Sequence, residues 1–340
     1  LEASIVKPDR TRPRPRADVE LRSALRSVQS LRLNLVGAFR ARRQPLEAAL
    51  RDADIGLLSA LAGELLELGG SRPSLEAAAS GDVSLLRTLA AEVERVTGLD
   101  LPLVKGERGS LALVWRGGRY EPFSPLLAHP DAFSVLAQEL RASRIVEAEG
   151  ALTLEAHEGR RNEGGYYTPY LLARRLTAQA LDAFEDPAAV PAVLDPACGA
   201  GTFLSATFDV LCARLEAQRK THADLSIEPV AWAVAALHGI DIDPTALCAA
   251  RLSLAVRATR AERASRGAGQ LALFGQTATY GPLITERLRL GDALPNRPAP
   301  TVAGTDTLRL RLLARDEPGR RPGPDEAAAV DWERGFPLKF

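Results

Sequence analysis

Asp195, Asp241 and Asp292 each stand where a short apolar run ends, and the first is followed by Gly199 and Gly201. The stretch Ala192-Val193-Leu194-Asp195-Pro196-Ala197-Cys198-Gly199-Ala200-Gly201-Thr202-Phe203-Leu204 reads as a strand, a tight glycine turn and the start of a helix. Glycine lets the backbone turn sharply and approach a ligand with no Cβ in the way. Phe203, Leu204, Thr207, Phe208 and Leu211 follow at helical spacing. A helix N-terminus there aims free N–H groups at a ligand. The carboxylate then selects among nucleotide-type ligands. A dinucleotide pyrophosphate needs an uncluttered G-x-G-x-x-G. Here Leu204 holds the third glycine position and Asp195-Pro196 precedes the turn. A carboxylate at the end of that strand crowds a pyrophosphate. It suits a cationic group, such as the amino group of S-adenosyl-L-methionine (SAM).

Further constellations lie on either side. In His238-Gly239-Ile240-Asp241-Ile242-Asp243-Pro244 the strand is too short to bury two carboxylates, so both lie at its end. A carboxylate there can accept both hydroxyls of a ribose. Asp243 before Pro244 suits a helix cap. Asp241 lies farther from the glycines than the usual spacing of roughly 20 residues. The extra length, 220–236, holds an apolar helical pattern and reads as an insertion. His238 reads as a satisfied core residue. Leu290-Gly291-Asp292-Ala293-Leu294 repeats the pattern of a strand followed by an acidic turn, a common motif taken alone. Upstream, Tyr166-Tyr167-Thr168-Pro169 opens a helix, with Thr168 either as an ordinary cap or as a lid over the cofactor.

These residues need elements to hold them. From Tyr166 onward, strand and helix alternate: a helix over 170–184, a strand before the glycine turn and a helix to Arg219. A strand over 237–242, a helix from Pro244 to Thr259 and a strand over 287–290 follow. Alternation of this kind argues for α/β architecture with a doubly wound parallel sheet, whose ligands bind beyond the carboxyl ends of the strands. Before it, 17–158 reads as a mainly helical N-terminal domain. Leu21, Leu25, Val28, Leu31, Leu35 and Phe39 form one apolar face, Pro45 opens a second helix, and a third runs to Val96. The alternation Leu111, Leu113, Trp115 and the turn Arg116-Gly117-Gly118-Arg119 predict a hairpin near 110–123. Residues 131–149, with Phe133, Leu136, Leu140 and Ile145, are expected as helix. Residues 1–16, rich in Pro and Arg, read as a disordered basic tail, and Gly159 to Gly165 as a linker into the core at 159–340.

Composition bounds the function. The chain has 340 residues, 46% hydrophobic and 25% charged, with a formal net charge of zero. It can bury a sizeable core, and it shows no global nucleic-acid footprint, so any DNA-binding surface must be local. Lysine stands only at Lys7, Lys105, Lys220 and Lys339; the rest of the basic charge is arginine. Cys198, Cys212 and Cys248 form no C-x-x-C pair, which fits a reducing, cytoplasmic compartment without a structural metal. No apolar run reaches membrane-span length. The chain starts at Leu1, has no methionine and ends on an apolar stretch, which reads as a fragment.

The string Asp195-Pro196-Ala197-Cys198-Gly199-Ala200-Gly201-Thr202-Phe203-Leu204 closely resembles the first motif of the SAM-dependent N-6 adenine DNA methyltransferases of restriction-modification and phage-defence (BREX-like) systems. Gly164-Gly165-Tyr166-Tyr167-Thr168-Pro169 resembles the motif that precedes it in one large class of these enzymes. The resemblance covers about 160–340. It implies a Rossmann-like class I methyltransferase core and methyl transfer from SAM to the exocyclic amine of a flipped adenine in duplex DNA. Other subunits of a restriction or defence system are the further partners it implies. It assigns cofactor contacts to Tyr167, Thr168, Pro169, Asp195, Pro196, Ala197, Cys198, Gly199 and Gly201, and to Asp241, Ile242, Asp292 and Ala293. Asp241 takes the ribose, Ile242 packs on the adenine, and Asp292 accepts the adenine amine. The family's Asn/Asp-Pro-Pro-aromatic loop has no counterpart. Val330 to Phe340 resembles the segment just before it, so the core is expected to be incomplete, the catalytic residues unknown and the chain alone inactive. A SAM-dependent methylase of RNA or of protein glutamine, and a non-catalytic SAM-binding subunit, remain open. An NAD enzyme is disfavoured by Asp195-Pro196 and Leu204.

Overall fold

The computed structural model describes residues 16–68, 83–102, 124–157, 168–183, 191–221, 228–274, 279–291 and 293. Tyr167, Asp292, the hairpin expected near 110–123, the linker over 159–165 and the C-terminal stretch lie outside them. Among the described residues no helix is long and apolar enough to cross a membrane.

Helix α1 (Arg16–Ala41) buries Val28, Leu31, Leu35 and Phe39, the stripe its periodicity predicts. Helix α2 (Leu46–Leu65) follows Pro45 and is buried on nearly every side, from Ala49 to Gly63. It can be, because α1, α3 (Val83–Thr97) and the long α9 (Pro244–Phe274) all pack against it. A short α4 (Ser124–Leu127) and α5 (Ala132–Ala142) complete this layer. One ion pair ties it together. Arg32 on α1 meets Asp54 on α2 bidentately, at 2.6 and 2.8 Å, and donates to the carbonyls of Leu140 (2.7 Å) and Ser143 (2.9 Å). Burial pushes the Asp54 carboxyl up, and the Arg32 guanidinium opposes that shift. A buried charge needs such complete compensation.

The helix expected over 131–149 is corrected. Helix α5 ends at Ala142, and Ile145 lies in strand β1 (Ser143–Ala148), paired antiparallel with β2 (Ala151–Ala156). Glu149 (φ 52°) and Gly150 (φ 78°) make the two-residue turn between them, both in the left-handed region that tight hairpins require. The β-branched pair Ile145-Val146 and the Glu-Gly dipeptide carried that signal. The apolar spacing from α5 masked it.

Helix α6 (Tyr170–Asp182) leads to the second sheet, built from β3 (Val193–Asp195), β4 (Leu237–Asp241) and β5 (Leu288–Leu290). Its order is β3-β4-β5 and all pairs are parallel, with Asp195 opposite Gly239 and Asp241 opposite Leu290. Helices α7 (Thr202–Thr221) and α8 (Pro229–Ala236) connect β3 to β4, and α9 and α10 (Gly281–Arg287) connect β4 to β5. Parallel neighbours need such crossovers. The apolar segment expected within 220–236 is α8, packed on α7. The helix from Pro244 continues past Thr259 to Phe274. Buried side chains from Val28 to Leu288 form one contiguous cluster, so the N-terminal helices and the parallel sheet share a core.

Candidate cofactor site at the strand ends

Strand β3 ends at Asp195 and the chain turns at once. Gly199 (φ 54°) and Gly201 (φ 80°) both adopt the left-handed conformation, as their positions in the motif require. The turn is pinned on both sides. Cys198 N–H donates to the carbonyl of Ile240 (2.9 Å), continuing the pairing of β3 with β4 beyond the strand itself. Gly201 N–H donates to the Cys198 carbonyl (2.8 Å), and Ser205 N–H to that of Gly201 (2.8 Å), which starts α7. A Cβ on Gly201 would lie 2.9 Å from Ala250 Cβ on α9. The glycine therefore serves the close packing of two helices as well as the turn. Gly239 opposite the turn has the same character, since a Cβ there would meet Leu204 Cδ1 at 2.8 Å and Cys198 Sγ at 3.1 Å.

Asp241 reaches across from the end of β4. Its Oδ2 accepts the Gly199 N–H (2.7 Å) and its Oδ1 the Asp243 N–H (2.9 Å). One carboxylate thus joins the glycine turn to the loop after β4. Asp243 caps α9, accepting from Thr245 N–H (2.9 Å) and Ala246 N–H (3.3 Å). Gly291 N–H donates to the Asp241 carbonyl (3.0 Å), which brings the end of β5 to the same place. Ala293 follows, half-buried. Ile242 is 62% exposed and Leu290 53% exposed, two large apolar side chains open to solvent beside Asp241.

Asp195 accepts the N–H of Ala197 (3.2 Å) in its own turn. Burial pushes its carboxyl up, the Ala197 hydrogen bond opposes this, and the negative charge of Asp241 adds to it. Two carboxylates at adjacent strand ends thus repel each other. Pro196 and Ala197 are exposed, whereas Cys198 is buried and its thiol is pushed well up, foremost by burial. The Cys198 side chain packs in the core, and its N–H is used by Ile240. His238 is buried, with Nε2 2.5 Å from Arg287 Nη1; burial and then that guanidinium lower its pKa.

Thr168 and Pro169 stand at the start of α6, where Pro169 rather than Thr168 is the capping residue. The next residue, Tyr170, anchors this helix. Its hydroxyl donates to Asp209 on α7, Arg257 on α9 donates to the same oxygen at 2.5 Å, and the guanidinium lies 5.3 Å from the Tyr170 ring centre. Burial, then the Asp209 hydrogen bond, push the Tyr170 hydroxyl up to about 12. The structure therefore brings Asp195, the glycine turn, Asp241, Ile242 and the end of β5 together.

Residues singled out by no sequence pattern also reach this place. Thr202 Oγ1, at the start of α7, lies 2.8 Å from Asp131 Oδ2 and 2.9 Å from Ser134 Oγ. Ser134 donates to the carbonyl of Ala200 (3.3 Å), and Arg141 Nη1 lies 3.2 Å from Asp243 Oδ2. They stand far upstream in the chain, so no local spacing could have linked them to the motif.

No curated protein and no solved structure matches the chain. A family model described as N-6 DNA Methylase matches residues 148–267, which contain the glycine turn, Asp195 and Asp241. The match supports DNA N-6 methyltransferase activity in general terms, and the chain resembles the N-6 adenine DNA methyltransferase family over the segment that holds Asp195, the glycine turn and Asp241.

Proposed function

We propose that this chain binds SAM at the carboxyl ends of β3, β4 and β5 and transfers its methyl group to the exocyclic amine of adenine in DNA, in a restriction-modification or phage-defence system. The observation that carries the reading is the pairing of Asp195 and Asp241 around a left-handed glycine turn. The residues fit the cofactor. Burial, and after it the charge of Asp241, push the Asp195 carboxyl up; a nearby cation opposes both, and SAM carries one where a pyrophosphate does not. Ile242 and Leu290 offer apolar surface for a purine beside a carboxylate suited to ribose hydroxyls. The sequential parallel order β3-β4-β5 supports a Rossmann-like reading of the core.

The chemistry SAM supplies is an electrophilic methyl group on a sulfonium. The protein's share is positioning and charge. Asp195 holds positive charge at the first strand end. Asp241 orients the ribose while keeping the glycine turn in place. The turn brings backbone close to the ligand with no side chain between. The target adenine must leave the duplex to reach such a site. No residue is assigned to the target amine, because the sequence contains no Asn/Asp-Pro-Pro-aromatic run.

Two measurements test the proposal: SAM affinity by calorimetry, and tritiated methyl transfer from SAM to mixed-sequence DNA. SAM binding without methyl transfer is the expected result for this chain alone, and transfer to DNA adenine is expected once an Asn/Asp-Pro-Pro-aromatic loop is supplied by a longer chain or a partner. Transfer only to RNA or to protein amide under those conditions would move the substrate. Binding without transfer even then would favour a non-catalytic SAM-binding subunit. No SAM binding would overturn the reading.

A further inference from the structure

Helix α5 lies before the segment that matches the methylase family, which begins at residue 148. Its two ends nevertheless hold the two loops that form the candidate site. At the N-terminal end, Asp131 stands at the capping position of α5 but makes no side-chain cap to its own helix. Its carboxylate goes instead to Thr202, the first residue of α7, directly after the glycine turn. A negative charge is favourable at a helix N-terminus. The arrangement is also costly. Asp131 is 3% exposed, and its Oδ1 is buried with no hydrogen-bond partner among the described residues. Ser134, one turn on, reaches the Ala200 carbonyl within the turn. At the C-terminal end, Arg141 pairs with Asp243, whose own N–H is held by Asp241. Arg32 fixes that end of α5 through the carbonyls of Leu140 and Ser143.

We propose that α5 is a brace for the cofactor site, with Asp131, Ser134 and Arg141 as positioning residues that set the glycine turn and the Asp241 loop relative to each other. The turn needs one. It contains two left-handed residues and follows a strand of only three residues, Val193–Asp195, and apart from the contacts of α5 the bonds that pin it come from within the turn, from the start of α7 and from β4. The brace grips it from the side of α7 and α9 and leaves the strand ends to the ligand. The consequence for binding rests on the SAM reading above; the brace itself does not.

The test uses the full chain, with Asp131→Ala and Arg141→Ala as disrupting variants and Asp131→Asn and Arg141→Lys as conservative ones. Asn keeps an oxygen for the Thr202 hydroxyl, and Lys keeps a cation for Asp243. Amide hydrogen exchange is read without ligand, and SAM affinity by calorimetry. In Asp131→Ala, the amides of Gly199, Gly201 and Ser205 should exchange at least about tenfold faster, while those of the β1–β2 hairpin stay within about twofold. In Arg141→Ala, the Asp243 and Thr245 amides should respond in the same way. SAM affinity should fall about fivefold in each disrupting variant and return in its conservative partner. Unchanged exchange at these loops would overturn the brace. So would equal acceleration throughout the molecule, which would mark a general loss of stability. If the parent chain binds no SAM, the functional reading falls, and the loop exchange still decides the brace.

Discussion

At the scale of single residues, the two carboxylates do different work. Burial, and after it the charge of Asp241, push the Asp195 carboxyl up, whereas each Asp241 oxygen accepts one backbone N–H and so fixes two loops. Replacing Asp195 by Asn keeps the oxygen that accepts from Ala197 and removes the repulsion. The expected outcome is opposite in sign for stability and binding. The unliganded melting temperature should rise by about 1–2 °C, while SAM affinity falls about tenfold, or about 1.4 kcal/mol. Scanning calorimetry and titration calorimetry on the same variant check both. The pH dependence follows from the raised carboxyl. A carboxyl with a raised pKa in the fold stabilises the unliganded protein at low pH, and that contribution is lost as pH rises through the folded pKa. Cation binding needs the ionised form, so SAM affinity should weaken as pH falls through a value above the ordinary 3.8. In Asp195→Asn that pH dependence should disappear. Asp241→Ala should cost roughly 1.5–3 kcal/mol of SAM affinity through lost charged hydrogen bonds. It should also lower the melting temperature, because Gly199 N–H loses its partner.

At the scale of elements, the glycine turn is a joint between β3, α7 and α9. Gly201 faces Ala250, so a side chain there meets another helix before it meets a ligand. Gly201→Ala combines a left-handed φ, about 1–2 kcal/mol, with overpacking of about 1–3 kcal/mol. Its melting temperature should drop even without ligand. Adding Ala250→Gly should restore the packing part and leave the backbone part. A double-mutant cycle by chemical denaturation reads the difference. Full additivity would mean that the two residues do not meet. The α5 brace belongs to this scale too, since it acts through helix ends rather than through a group near the ligand.

At the scale of the whole molecule, the N-terminal helices and the parallel sheet share one buried cluster from Val28 to Leu288. At Gly281 and Gly98 they meet backbone to backbone. A Cβ on Gly281, at the start of α10, would lie 2.1 Å from the Gly98 carbonyl carbon and 2.3 Å from Leu99 N. Gly98 itself has φ 73° and ends α3. Gly281→Ala should therefore lower stability by about 3 kcal/mol or more, beyond ordinary overpacking. The parent chain should unfold in one calorimetric transition, because a contiguous core has no internal boundary at which to part. Two separated transitions, with only one shifted by Gly281→Ala, would show that the halves fold independently.

Much of the site was legible in the sequence by itself, because its parts are local. A strand, a glycine turn and a helix start within one short stretch carry their own spacing rules. So do the acidic turn after Ile240 and the cap at Asp243. Those rules placed β3, α7, β4, α9 and β5 and the positive-φ glycines. The β1–β2 hairpin was missed because a two-residue turn sits inside a pattern that also fits helix, and only pairing with β2 decides between them. Tertiary structure alone decided the rest. Asp241 bonds to Gly199 across a long crossover, Gly201 is needed by Ala250, and Asp131, Ser134 and Arg141 grip loops well downstream. Sequence spacing is silent on such contacts. The chain fixes short-range geometry through its backbone, but side chains far apart in sequence meet only after packing has brought their helices together.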